Sequence, residues 1–498
     1  MKYIVFIFIN LFITTYYVEA QSKKYLPDSL KKDAQFIYET YTNWHVAPYL
    51  FCDSIIFEKA YHEFISKINR PITINEFYRY ACLFISVTND AHTLVVINPE
   101  TFKLGVLLFK KFIYFDIEIK DNRIYVKQIY RRSSDIKIGN EILSINGIKS
   151  DSILKGINSF YSDHNVINKY DCFSFRFFIN LWTLFDLYGK FQIEYKDITN
   201  NNVYTEKMRG MSLIPRIIRE NKIDTLNINT PCINRDGQMY RKCVKPLFWL
   251  TDTVLNKGNF TYSRYSYWVM PNSKTCIIHS RKVDVPDNYI QSFFDSVFTH
   301  ISAINPDNLV IDLRDNDGGY FGAIPFFVKY FYKGEFIMAS SEKIKVMPDH
   351  IKWLKQYRDT LIADCLEPYV GKLIDADTTC FCKFAVKVPV ENKSIFYNGF
   401  KNIYILTSSS TQSMAVLFAD AMKYNIPNVK IIGEETGGLR CTLGGKIMIE
   451  LPYSKLYMGV SSSYTQSPFG NCDKRGLIPD IIIDAKDAEN KLLEIINH

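Results

Sequence analysis

The chain reads as an α+β multidomain protein: a helical N-terminal region, a β-rich module and a C-terminal α/β domain. Three patterns carry that reading. Apolar residues recur at helical spacing between 28 and 87, and short strand-like runs follow one another from 104 to about 200. From 275 onward strands and helices alternate, as TCIIHSRKV, NYIQSFFDSVFTHISAI and NLVIDLRDNDGG, which argues for βαβ units on a parallel sheet.

Taken in order, residues 1–20 look like a signal peptide, with Lys2, the apolar run IVFIFINLFI and a small-x-small site at Val18-Glu19-Ala20. An uncleaved anchor is the alternative, but the run is short for a membrane span and no other 18-residue apolar segment follows. Pro27 and Asp28 signal a helix start in the 21–103 region, and the helices give way to a turn and strand at NDAHTLVVINPE. In 104–204, EILSING places an Asn-Gly turn after a short strand. Residues 205–265 have weak periodicity and read as a linker or insertion, and 333–398 as an insertion bearing polar turns, within an α/β domain over 266–498.

Composition bounds the function. The 60 basic and 52 acidic residues are scattered, so the net charge of +8 speaks for solubility rather than for nucleic acid. Eleven Cys in an exported chain permit disulfides, but an odd count leaves at least one unpaired. Cys380 and Cys382 are too close together to bridge easily. No paired CxxC spacing with His is present, so no metal is expected, nor any nucleotide or other cofactor.

Residues 402–438 carry the most chemistry. Ile403 to Leu406 form a buried strand, TSSSTQS a turn, Met414 to Met422 a helix, Val429 to Ile432 the next strand. Ligands sit outside the carboxyl ends of such strands. Ser413 stands there at a helix N-terminus, where backbone N–H groups face an oxyanion. Ser is also a favoured N-cap, and the segment taken alone favours that cap reading. In NLVIDLRDNDGG, Gly318 and Gly319 can expose N–H groups to an anion, while Arg314 and its neighbouring Asp residues can simply pair at the strand end.

Several segments, in order, resemble the tail-specific, or C-terminal processing, serine peptidases. "D-x-R-x-N-x-G-G" matches Asp312, Arg314, Asn316, Gly318 and Gly319; "T-x-S-x-A" matches Thr411, Ser413 and Ala415. "G-E-x-T-x-G" matches Gly433, Glu434, Thr436 and Gly438, and "G-I-x-P-D" is similar to Gly476, Leu477, Pro479 and Asp480. LPYSKLYMGV looks like the family's strand between those last two, and IKIGNEILSINGIKSDSIL resembles part of a PDZ domain without its carboxylate-binding loop. The resemblance implies a PDZ-like module, a ClpP/crotonase-like catalytic domain and polypeptide substrates.

The family's Ser-Lys variant places a Lys directly after the "G-x-x-T-x-G" turn, where this chain has Leu439 and Arg440. Arg cannot act as a general base, and Lys446 falls later, within a strand. The chain is closer to the tricorn-core branch, with Ser, His and an acid. DAHT at 90–93 looks like that branch's "D-x-H-T", so His92 is the candidate base, and Asp473 falls where the branch carries a Glu. Ala91 replaces the Ser that the tricorn core has before its His. Glu434 and Asp90 are fallback acids, and His279 is a weaker rival base.

The expected mechanism follows from these residue types. His92 takes the Ser413 proton and returns it, the acid fixes the imidazole tautomer, and amides of Met414 and of Gly318 or Gly319 hold the oxyanion. The expected protein is thus an exported serine endopeptidase, periplasmic, surface-bound or extracellular, without a membrane span once its leader is gone. The alternative is a binding protein for peptides or apolar ligands on an inactive peptidase scaffold, since the family includes a retinoid-binding member. An α/β-hydrolase is disfavoured because TQSMA lacks the glycines of a "G-x-S-x-G" elbow.

Overall fold

The computed structural model describes residues 24–97, 111–130, 134–175, 177–211, 265–270, 274–283, 288–319, 323–346, 380–390, 396–470 and 472–497, with strand backbone also at 231–233, 239–245, 249–253, 255–256 and 259–262. The expected signal peptide, most of the 205–265 linker and Cys365 lie outside the described residues. The chain divides into two compact units, one of the residues up to 218 with 445–462, the other of 219–444 with 463 onward.

In the first unit, β1 (Lys24–Tyr25) pairs antiparallel with β2 (Ile72–Thr73), and three helices follow the predicted signals: α1 (Pro27–Trp44), α2 (Ser54–Lys67) and α3 (Ile74–Ser86). Pro27 sits at the start of α1, where a missing N–H is harmless. Thr73 and Glu76 close a reciprocal capping box on α3, and Asp53 caps α2 by accepting the Ile55 amide. Leu30, Ala34, Ile37 and Tyr41 recur at helical spacing and bury one face of α1. With Phe57, Phe64, Phe77 and Phe84 they form a core that also takes in Leu451, Leu456 and Met458. A turn then leads into β3 (Leu94–Val96).

The next stretch is a sheet of β4 (Phe115–Lys120), β5 (Arg123–Ile129), β6 (Glu141–Ile145), β7 (Ile148–Lys149), β8 (Lys190–Lys196) and β9 (Val203–Arg209), with spatial order β4-β5-β6-β8-β9 and β7 on β6. The predicted Asn-Gly turn joins β6 to β7, with φ 49° at Asn146 and 79° at Gly147. Helices α4 (Ser150–Phe160), α5 (Val166–Phe175) and α6 (Phe177–Phe185) cover it and share its core through Ile153, Ile157, Phe173 and Leu181.

The second unit opens with β10 (Pro231–Ile233), β11 (Met239–Lys245) and β12 (Trp249–Thr253) as a small antiparallel sheet. Its main sheet runs β13 (Leu255–Asn256), β14 (Asn259–Tyr262), β15 (Tyr265–Val269), β16 (Thr275–Ser280), β17 (Asn308–Asp312), β20 (Asn402–Thr407), β21 (Val429–Gly433) and β24 (Ile481–Ile482) in that spatial order. From β16 to β24 every pairing is parallel, as the strand–helix alternation predicts. The crossovers are α7 (Asn288–Ile304) from β16 to β17 and α9 (Met414–Asn425) from β20 to β21; α8 (Ala323–Val328) follows β17 and α10 (Ala488–Asn497) follows β24. All five residues of β17 are buried, because helices and loops cover both faces of a parallel sheet. Phe294, Phe298, Ile405 and Leu417 belong to the core on one face, Val310, Tyr404 and Leu492 to that on the other.

The segment read as a polar insertion is strand at both described ends. β18 (Gly334–Val346) pairs antiparallel with β19 (Cys380–Val390), and at its other edge with residues 463–466 of β23 (Tyr457–Gln466). Lys alternates with apolar residues in KIKV (343–346) and VKV (386–388), a short period-2 pattern that points to strand rather than to a polar insertion. β22 (Thr442–Glu450) and β23 are the strands within which the chain passes between units; in the first unit β23 pairs with β3.

Candidate active site

Three loops leave the carboxyl ends of adjacent parallel strands: 313–319 after β17, 408–413 after β20 and 434–438 after β21. They are laced together. Thr411 donates its hydroxyl to the Leu313 carbonyl at 2.8 Å, the Gln412 amide bonds Asn316 O at 2.9 Å, and the Gly438 amide bonds Thr411 O at 2.9 Å. Ser408 donates its hydroxyl to Arg314 O, and its oxygen accepts the Ser410 amide, so these serines serve the turn.

Ser413 is held at the junction with α9 in an uncommon conformation, φ 49° and ψ −121°. That is the geometry of the first central residue of a type II′ turn, which glycine usually supplies. Its side chain makes no capping bond, so the N-cap reading of the sequence gives way to a half-buried hydroxyl left over. Strain of this kind collects where function requires a side chain to be presented.

Glycines from the neighbouring loops make room for the bend. A Cβ on Gly318 (φ 99°) would lie 2.7 Å from Ser413 Cβ, and one on Gly438 would lie 2.7 Å from Ser413 N. An elbow can therefore lack flanking glycines in sequence when other loops bring them in space.

Gly318 and Gly319 separate in role. The Gly318 amide donates to Asn316 Oδ1 at 2.9 Å, which takes it out of the expected oxyanion set. Among the described residues, the Gly319 and Met414 amides have no acceptor, and Met414 is the first residue of α9. Gly319 is also irreplaceable sterically, since a Cβ there would meet Val283 O at 1.6 Å.

The remaining motif residues are structural. Arg314 grips Asp312 with two hydrogen bonds of 2.9 and 2.7 Å and donates to Ala485 O at 2.8 Å, the pairing that the sequence allowed. Glu434 accepts the Ser409 and Ala485 amides, so it is spoken for as an acid. Arg440, in the place that the Ser-Lys variant gives to Lys, forms a bidentate pair with fully buried Asp420 at 3.2 and 3.0 Å, and Ser467 joins them. Lys446 falls within β22 and is exposed. A disulfide joins Cys441 to Cys472 with Cα atoms 5.4 Å apart.

The histidine expected as the base, His92, stands in the first unit. Asp90 is 3% exposed and gathers four donors: Thr93 Oγ1 at 2.6 Å, Ser461 Oγ at 2.6 Å, His45 Nε2 at 3.1 Å and the His92 amide at 3.0 Å. His45 Nδ1 accepts the Ala47 amide at 3.0 Å, which leaves the proton on Nε2 to face Asp90. Burial raises the Asp90 pKa, but the His45 bond and the nearby His45 and His92 rings outweigh it and hold the carboxyl well below the usual range. The His92 ring, partly exposed, lies with Nδ1 3.7 Å from Asp90 Oδ1, within ion-pair reach yet longer than a hydrogen bond.

Asp473, the expected orienting acid, is exposed, and its carboxylate accepts the Arg475 amide at 3.2 Å. The carboxylate set beside His92 is Asp90, from its own turn. His279 bonds Asp315 at 2.5 Å, and Arg281 joins that carboxylate. Sequence reasoning missed His45 and Ser461, which come to Asp90 from 45 residues upstream and 371 downstream and leave no local pattern. No described group of side chains could hold a metal ion, and no described helix is long and apolar enough to cross a membrane.

Residues 282–483 match peptidase family S41. Mature CPAF complexed with lactacystin aligns over 95% of this chain and 97% of its own at 15% identity, with a TM-score of 0.58. Mature CPAF alone aligns over 94% and 96% at 14% identity, with a TM-score of 0.58. At such identity the likeness speaks for the fold. The photosystem II D1 C-terminal processing protease aligns over 94% and 97% at 13% identity, with a TM-score of 0.42, too low to carry an argument.

Proposed function

We infer the function from one premise: through residues 282–483 the chain belongs to peptidase family S41, the tail-specific serine peptidases. It is a mixed α/β serine peptidase acting on polypeptides. The finer reading is our proposal. Ser413 attacks the scissile carbonyl; His92, in the first unit, takes its proton and returns it to the leaving amine. Asp90, rather than Asp473, orients His92, and the Met414 and Gly319 amides receive the oxyanion. The observation that carries this is Ser413 itself, a non-glycine residue at positive φ whose hydroxyl caps nothing. The Cys441–Cys472 disulfide favours an oxidising compartment and so an exported protein, and an endopeptidase is the kind we propose.

The test is covalent labelling. A fluorophosphonate should modify Ser413 in the purified chain, and labelling should vanish in Ser413→Ala and fall steeply in His92→Gln. Labelling at another serine, or unchanged labelling in His92→Gln, overturns the assignment. No labelling in a folded wild-type protein would revive the reading of an inactive scaffold.

A further inference from the structure

The first unit holds a cavity of about 180 Å³ behind the turn that carries His92. Its wall is formed by α3, by Ala91 and β3, by the Phe160–Asp163 segment after α4, and by Lys169 and Cys172 of α5. The volume exceeds the ~150 Å³ void that accommodates a benzene ring. Unlike that apolar void, its lining includes charged residues, Lys169 and Asp163.

Lys169 is 7% exposed and makes one hydrogen bond, to Asn158 O at 3.0 Å. Among the described residues no carboxylate lies within ion-pair distance of its ammonium. Asp163 acts on it from farther off, because its own oxygens are taken by the Asn165 amide at 2.8 Å, by Asn168 Nδ2 and by His164 at 3.3 Å. Burial pushes the Lys169 pKa down, as expected of an ammonium with too few partners. A buried cation with spare donors, next to ring-sized space lined by Ile85, Leu94 and Leu184, is a site for an anion with an apolar body.

We propose that this cavity binds a small organic carboxylate about one aromatic ring in size, its carboxylate on Lys169 and its ring against the apolar wall. The site has a direct route to the turn. Ser162, in the wall, accepts the Asp90 amide at 3.0 Å and bonds Thr88 Oγ1 at 2.7 Å, and Ala91 is itself part of the wall. Occupancy therefore bears on the Asp90–His92 turn, and this regulatory consequence, unlike the binding, rests on the function proposed above.

The test uses benzoate on the full-length chain, with benzamide (same ring, no charge) and acetate (same charge, no ring) as controls. Binding is read by calorimetry and by protection of the exposed thiol Cys172 from iodoacetamide, mapped by peptide mass. Benzoate should bind saturably and slow Cys172 alkylation about tenfold at ten times its Kd, where the controls at equal concentration do little. Lys169→Met should abolish the protection; Leu184→Trp, which fills the cavity and keeps the cation, should do so as well if Lys169→Met does not fold. No saturable benzoate binding, equal protection by acetate or benzamide, or full binding by a folded Lys169→Met variant overturns the proposal. Ser413→Ala protein should bind benzoate like wild type, so failure of the peptidase reading stays distinct. Where wild type is active, benzoate should change kcat there and leave Lys169→Met unchanged.

Discussion

The loops around Ser413 and the turn around His92 fix the two side chains of the proposed site by different means. Around Ser413 the restraint is backbone: amides bonded across three loops, two glycines pressed against the bend, a main-chain angle that few residues adopt. Around His92 the restraint is a buried carboxylate that collects hydroxyl, imidazole and amide donors. A backbone-built site tolerates no added Cβ but little depends on any one polar group. A site built on one ion stands or falls with that ion.

The sharpest way to break this contrast is Asp90→Asn. If Asp90 orients the base, kcat should fall about 10⁴-fold, and with a buried ionic centre lost, unfolding should become easier by about 3–5 kcal/mol. Denaturant melts alongside peptide hydrolysis separate the two effects. The companion variant Asp473→Asn should stay within about twofold of wild type in both, as an exposed site does; a large loss there would return the orienting role to Asp473.

On the other side, Gly318→Ala puts a methyl against Ser413 and forces a left-handed angle on alanine. We expect a drop of about 100-fold or more in kcat, comparable to losing an oxyanion donor, with a smaller stability loss of about 1–3 kcal/mol. Equal activity in Gly318→Ala would mean that the elbow is softer than its contacts imply.

Acid titration sharpens the contrast by pH. The Asp90 pKa is depressed in the folded chain, so near pH 5 and above, where an unfolded Asp is ionised, its contribution to stability is complete. As pH falls through about 4 the unfolded chain takes up the proton first, and the contribution fades until the folded pKa is passed. The wild-type denaturation midpoint should therefore drop more steeply below pH ~4 than that of Asp90→Asn. The smallest effect concerns neither the Ser413 loops nor the His92 turn: Thr73→Ala removes half of the α3 capping box and should cost about 1 kcal/mol in a urea melt, without changing kcat.

This contrast also explains what the sequence could say. Strand–turn–helix order, Pro27 at a helix start, the Asn146-Gly147 hairpin and the loop motifs are local, and local pattern exposes them. Ser413 is legible as a candidate because the turn that bends it lies within a few residues, with Gly318 and Gly438 in motifs of their own. The surroundings of Asp90 escaped because His45 and Ser461 converge from remote segments, and DAHT shows the acid without its donors. The choice between Gly318 and Gly319 is hidden for a similar reason: only the folded loop shows Asn316 already holding the Gly318 amide. Asp473 is expected from its place three residues before Gly476 in a resembling segment, and such a position carries no information on where a side chain points.

The bend at Ser413 has a bearing on how this protein can change over generations. A glycine at 413 would relax the main chain there by about 1 kcal/mol, so folding alone favours a residue with no hydroxyl. A lineage relieved of peptide hydrolysis would be free to take that easier backbone, whereas here the position still carries an oxygen, against its conformational preference.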